Sequence, residues 1–261
     1  MESSLCRLHE GEATDGGRMR LPRRGPSVVR LLRSLGAISV GALLVVTIVA
    51  DPVSAGATTR VHADPTRYPF AGYLTSPTTI TSAAATMVVP SFTCTRKVSA
   101  MTGDAIVYDS NGPSFGSAMV YLGCSGRKEL VSALTNIDDV LSVPTVIMKP
   151  GDTVALSATC GASGIALSID DTTTASVGTA SSSNPETCTQ AEVGDDAATN
   201  GKVIVPLPAF GSLTFTDAMV NGAALGSLTP TANTLYEGKK NVVTTGALTD
   251  GGTAFTTTQG S

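Results

Sequence analysis

The chain has 261 residues, a formal net charge of −4, no Trp, two His and only 15% charged residues. So sparse and slightly acidic a charge set excludes the basic surfaces that neutralise nucleic-acid phosphates, and it suits a secreted β-protein. The histidines are His9, ahead of an apolar segment, and His62, in a polar leader, so a Ser–His–Asp or Cys–His nucleophile finds no histidine in the body of the chain.

The N-terminal part does not read as domain material. Arg20, Arg23, Arg24, Arg30 and Arg33 form a basic stretch, followed by an uncharged run from Ser34 to Ala50 and by the small residues Val53-Ser54-Ala55. That is the order of a secretory signal, with cleavage expected after Ala55. Its rival is an uncleaved membrane anchor, for which the run is shorter than the roughly 20 apolar residues a bilayer needs. Met19 would begin a conventional signal of this kind. The expected organisation is an N-terminal extension and signal over 1–55, a leader over 56–67, and one β-domain over 68–261. From residue 56 onward ten Lys and Arg face sixteen Asp and Glu, a formal charge of −6. This also argues against anionic membranes as partners once the signal is removed.

The mature chain keeps Cys94, Cys124, Cys160 and Cys188. After an export signal an even count reads as two disulfides, with three connectivities open. Gaps of about thirty residues between them do not suit a metal site.

The elements alternate in a β pattern. Phe70–Tyr73 opens the first strand, and Thr78–Val89 is stopped by Pro90. Ala105–Tyr108 and Ser117–Leu122 flank a loop that begins at Asp109. Leu130–Ile137 fits a strand or a helical turn, and its neighbours favour strand. Val143–Thr174 reads as a meander. Val154, Leu156 and Ala158, then Ile165, Leu167 and Ile169, recur with a period of two, and Pro150-Gly151 and Gly161/Gly164 make the turns. Ala175–Thr187 is a polar loop or strand. Lys202–Leu207, Phe210–Phe215, Asn241–Thr244 and Gly252–Thr258 complete the series. Short strands without a convincing helix predict an all-β sandwich or barrel.

Asp138-Asp139, Asp170-Asp171 and Asp195-Asp196 are read as solvated turn charges, with calcium in an Asp-rich loop as the rival. Sequence neighbours on a strand point to opposite faces and make no dyad. No Gly-rich phosphate loop opens a helix, and no cofactor is expected.

Several segments in order resemble the secreted glutamic peptidases, or eqolisins. Ala71-Gly72-Tyr73 and the strand ending Val89-Pro90 match that family's opening. Lys149-Pro150-Gly151-Asp152 and Leu167–Thr173 are similar to its meander, Pro208–Ala218 to its "ADFGTVTFTNA" strand, and Asp250–Thr258 to its last strand. The resemblance spans about Tyr68 to Thr258. It implies a sandwich of two bent antiparallel sheets, a concanavalin-like or lectin-like jelly roll, with a site on the concave face and acid endopeptidase ancestry.

The family's catalytic pair is a Gln and a Glu, the Glu acting as base on water and the Gln polarising the scissile carbonyl. The resemblance puts Glu192 at the Glu of "AEWI" and Tyr121 at the Gln of "QTG". Tyr108 and Asp109 fall in the "WVGIDG" strand, and Asn136 replaces the Glu of "AWYE"; all three are expected to line the substrate site. It also implies the pairs Cys94–Cys124 and Cys160–Cys188. The expected function is a monomeric acid endopeptidase of weak or lost activity on polypeptides. The alternative is a non-catalytic module that binds peptide or glycan on the same face.

Overall fold

The computed structural model describes residues 69–260 except 97, 201–202 and 238–239. The signal and leader expectations lie outside the described residues. In chain order the strands are β1 (Phe70–Thr75), β2 (Ser82–Val88), β3 (Val98–Tyr108), β4 (Phe115–Ser125), β5 (Lys128–Ile137) and β6 (Val140–Ser142). The middle group is β7 (Thr153–Gly161), β8 (Gly164–Asp171), β9 (Ser176–Ser181), β10 (Gln190–Ala197), β11 (Thr199–Asn200) and β12 (Val203–Ile204). The last are β13 (Ser212–Val220), β14 (Ala223–Ala224), β15 (Thr231–Asn233), β16 (Leu235–Glu237), β17 (Lys240–Thr245) and β18 (Phe255–Gln259).

They form two large antiparallel sheets. Sheet A runs β15-β1-β10-β3-β4-β5-β6, and sheet B runs β16-β17-β18-β13-β2-β7-β8-β9 with β14 beside β13; β11 and β12 form a separate hairpin. The core lies between the sheets. Sheet B supplies Val154, Leu156 and Ala158 from β7, Ile165, Leu167 and Ile169 from β8, and the stacked rings of Phe215 and Phe255. Sheet A supplies Met101, Ala105 and Val107 from β3, Ala118, Val120 and Leu122 from β4, and Ala191 and Val193 from β10. The period-two pattern in the meander therefore faces where alternation says it should. The segment before Pro150 differs: β6 ends at Ser142, and residues 143–149 cross as irregular chain.

Cys94 joins Cys124, and Cys160 joins Cys188, closing loops of 30 and 28 residues. The second bridge ties β7 to the segment entering β10, two residues before that strand begins. Replacing Cys160 and Cys188 by Ala should cost roughly 3–4 kcal/mol through the freed unfolded chain. The expected result is a fall in Tm on the order of 10 °C by calorimetry.

Two of the three acidic pairs depart from the solvated-turn expectation. Asp138 and Asp139 do occupy the β5–β6 turn, both with positive φ. Asp171 is fully buried and caps the backbone N–H groups of Thr173 and Thr174. Asp195 is buried in mid-strand and points between the sheets, where the Thr257 hydroxyl donates to it. Among the described residues no group of three or more His, Cys, Asp or Glu is placed to hold a metal ion.

Candidate active site

Strand β10 lies inside sheet A, flanked by β1 and β3, so each residue from Ala191 to Asp196 has two cross-strand neighbours. Odd-numbered residues of β10 enter the core; Glu192, Gly194 and Asp196 share the opposite face. The register then places a row across four strands: Glu192 opposite Ile106, Ile106 opposite Ser117, Ser117 opposite Asn136. The next row carries Gly194, Asp104 and Met119. This outer face is closed as tightly as a core, with Asp104, Ile106, Tyr108, Ser117, Met119, Asn136 and Glu192 all buried.

Glu192 accepts a hydrogen bond from the Tyr108 hydroxyl at 2.6 Å. A buried carboxylate held by a charge-assisted bond of this length is oriented as well as solvated. Asn136 stands two strands from Ile106 in the same row. Its Oδ1 and the Ser117 Oγ are buried and have no hydrogen-bond partner. Buried polar atoms of folded proteins are nearly always paired, so two on one row of one face mark a place for water or a ligand.

Tyr121 is placed differently. It pairs with Thr102 and Ser132, four residues along β4 from Ser117, the residue in line with Glu192. Four residues of strand and two strand spacings put the two backbones roughly 16 Å apart. The ring lies back along its own strand, over Gly123, where an added Cβ would meet the phenol oxygen at 2.4 Å. It packs on Ala100, Ala198 and Val205, and burial pushes its phenol pKa up. The structure brings Tyr108 and Asn136 to Glu192 and its row, and leaves Tyr121 at the far end of the face.

Asp109 serves the β3–β4 loop. It accepts from the Asn111 N–H at 3.0 Å and from the Thr189 hydroxyl at 3.2 Å, pinning the loop to the chain that enters β10.

Sequence reasoning missed Asp104 and Ser117. Asp104 is fully buried on β3 beside this row. Burial raises its carboxyl well above the ordinary value, and Asp196, Glu192 and Asp195 raise it further, against a lowering hydrogen bond from Thr102. A charge immediately before Ala105–Tyr108's extended run was the available signal.

The sequence model described as the peptidase A4 family matches residues 68–259. No curated protein matches the sequence. Among solved structures, scytalidoglutamic peptidase with a peptide-based transition-state analogue is similar at TM-score 0.60 and 17% identity, over 73% of this chain and 98% of that one. SCP-B, a member of the eqolisin family in complex with the tripeptide Ala-Ile-His, matches at TM-score 0.57 and 17% identity, over 73% and 98%. Aspergilloglutamic peptidase from Aspergillus niger matches at 0.52 and 17%, over 62% and 99%. At these identities the likeness is one of fold.

Proposed function

Because the chain belongs to the peptidase A4 family, we propose that it is a secreted, monomeric protein that binds polypeptide across sheet A and hydrolyses it only weakly in acid, with Glu192 as the base. The family fold supports a polypeptide ligand, since two of the similar structures hold peptide or a peptide-based analogue. Two disulfides suit an oxidising compartment. Among the described residues no helix is long and apolar enough to cross a membrane. In this reading residues 1–55 are removed on export, and the domain begins near Tyr68.

The observation that carries the reading is the offset of Tyr121. A side chain four residues from the Glu192 row cannot reach the carbonyl that Glu192's water attacks. The donor that the family resemblance places there is therefore missing, a loss that typically costs about 10²–10³ in rate. The same offset favours the non-catalytic alternative, a peptide-binding or glycan-binding face. Digestion of a denatured protein at pH 2–5, beside a family member that has the Gln, decides the matter. The expected result is turnover about 10²–10³ lower with peptide binding retained. Equal turnover would reject the reading, and so would neither binding nor cleavage.

A further inference from the structure

Each sheet of a sandwich turns one face into the core and normally offers the other to water. The outer face of sheet A departs from this. Ile106 and Met119 are 2% exposed and Phe70 is 1% exposed, as closed as residues between the sheets. The strands that pack extensively on sheet A from outside it belong to sheet B, across the core. Ala198 and Val205 close the Tyr121 end of the outer face. The cover over Ile106 and Met119 therefore needs another source.

The chain enters sheet A at Pro69, whose carbonyl accepts the Ala197 N–H at 2.7 Å just past the end of β10. Phe70 follows, opposite Asp196, with its ring against Gly72 and Gly194. The leader, residues 56–67, thus ends at the border of the outer face. Its roughly twelve residues extend to about 40 Å, and the Asp64-Pro65 step favours extended chain. The four strand spacings from β1 to β5 span only about 19 Å. Charge also matches. β1, β3, β4 and β10 contain no Lys or Arg, and they bring Asp104, Glu192 and Asp196 to this face. The leader sets Arg60 and Arg67 against Asp64 alone, a formal +1 within a chain of net negative charge.

We propose that the leader is the occupant of this face: residues 56–67 run from Pro69 across sheet A, over Met119 and Ile106, with the Arg67 guanidinium paired to the Asp196 carboxylate. A guanidinium suits a carboxylate at the rim of a covered face, because the bond is charge-assisted and directional. The leader then acts as an intramolecular ligand of the mature protein, and a polypeptide reaches Glu192 only by displacing it. The inference rests on the reading above for two points alone: the cut after Ala55, which leaves the leader in place, and the nature of the ligand displaced.

The test uses the mature chain from residue 56 and reads no hydrolysis. Arg67→Lys keeps the charge and supplies an amine, which a carbodiimide condenses with a carboxylate in contact. The amide forms with loss of water, and the carbodiimide takes that water up as a urea. Peptide mapping should find position 67 joined to Asp196 within one molecule. The double change Arg60→Glu with Arg67→Glu sets like charge against the face. The dye ANS, which fluoresces on exposed apolar surface, should then brighten several-fold over wild type, with circular dichroism showing the fold intact. If the double variant fails to fold, the cross-link decides. A position 67 that joins no carboxyl of sheet A overturns the proposal, and so does wild type that binds ANS as strongly as the folded double variant. A cross-link between two molecules overturns it in favour of a second copy on the face. Failure of the hydrolytic reading shows separately, as absence of turnover while the cross-link still forms.

Discussion

The protein should become more stable as the pH falls from 8 to 4, and Asp195→Asn should flatten that dependence. Asp195 is buried between the sheets, and burial lifts its carboxyl pKa to about 8 against the lowering hydrogen bond from Thr257. The unfolded chain would titrate it near 3.8. Between these values the native state keeps a proton that the unfolded state has lost, so unfolding releases a proton. Stability is therefore fully present below about pH 4 and lost as the pH rises toward 8. A difference of about four units is worth at most roughly 5–6 kcal/mol. Asp104, raised by burial and acidic neighbours, adds a change of the same sign.

Asparagine is nearly isosteric and still accepts from Thr257, but it has no proton to lose. Calorimetric Tm values at pH 4, 6 and 8 check the point. Wild type should lose on the order of 10 °C across that range, and Asp195→Asn much less. A Tm that rises with pH, or an equal slope in both proteins, would count against a protonated Asp195 in the native core.

The same residue shows where the sequence could be read and where it could not. β7 and β8 were legible because each has one buried face, so Val154, Leu156 and Ala158 and then Ile165, Leu167 and Ile169 stand out from the Ser, Thr and Asp between them. β3 and β10 lie inside sheet A and are buried on both faces, so no alternation marks them. The stretch from Val98 to Gly103 therefore went unread. Gly103 looks like a breaker, yet it is small because the Met87 sulfur passes 2.8 Å from where a Cβ would stand. Asp195-Asp196 looked like a turn pair for a similar reason: two adjacent charges are ordinary in a loop and rare in a central strand. Toward the C-terminus, strand covers Val203–Ile204 and stops before Leu207, because Pro206 and Pro208 lack the N–H a ladder needs.

The site was legible in part. Family resemblance pointed to Glu192, Tyr108 and Asn136, which share a face of sheet A. Register was not legible, and register separates Tyr121 from Glu192. The residue in line with Glu192 on β4 is Ser117, in a Gly-Ser-Ala stretch that carries no catalytic signal of its own.

Glu192→Gln should reduce acid hydrolysis by about 10³-fold or more while leaving the fold intact. Glu192 is buried on the outer face of sheet A and receives the Tyr108 hydroxyl at 2.6 Å. That bond holds the orientation of the carboxylate on this face. Removing a positioned base usually costs 10²–10⁴ in rate, and a glutamine side-chain oxygen is too weak a base to substitute. The amide oxygen can still accept from Tyr108, so the hydrogen bond survives and Tm should move little. Tyr108→Phe should lower kcat less, by loosening the carboxylate without removing it. Tyr121→Gln should leave the rate unchanged, because four residues of strand separate it from the Glu192 row. Initial rates on a denatured protein at pH 2–5, with Tm measured on each variant, separate these outcomes. Activity that survives Glu192→Gln would show that the base lies elsewhere. A marked gain in Tyr121→Gln would show that substrate binding draws the two ends of the face together.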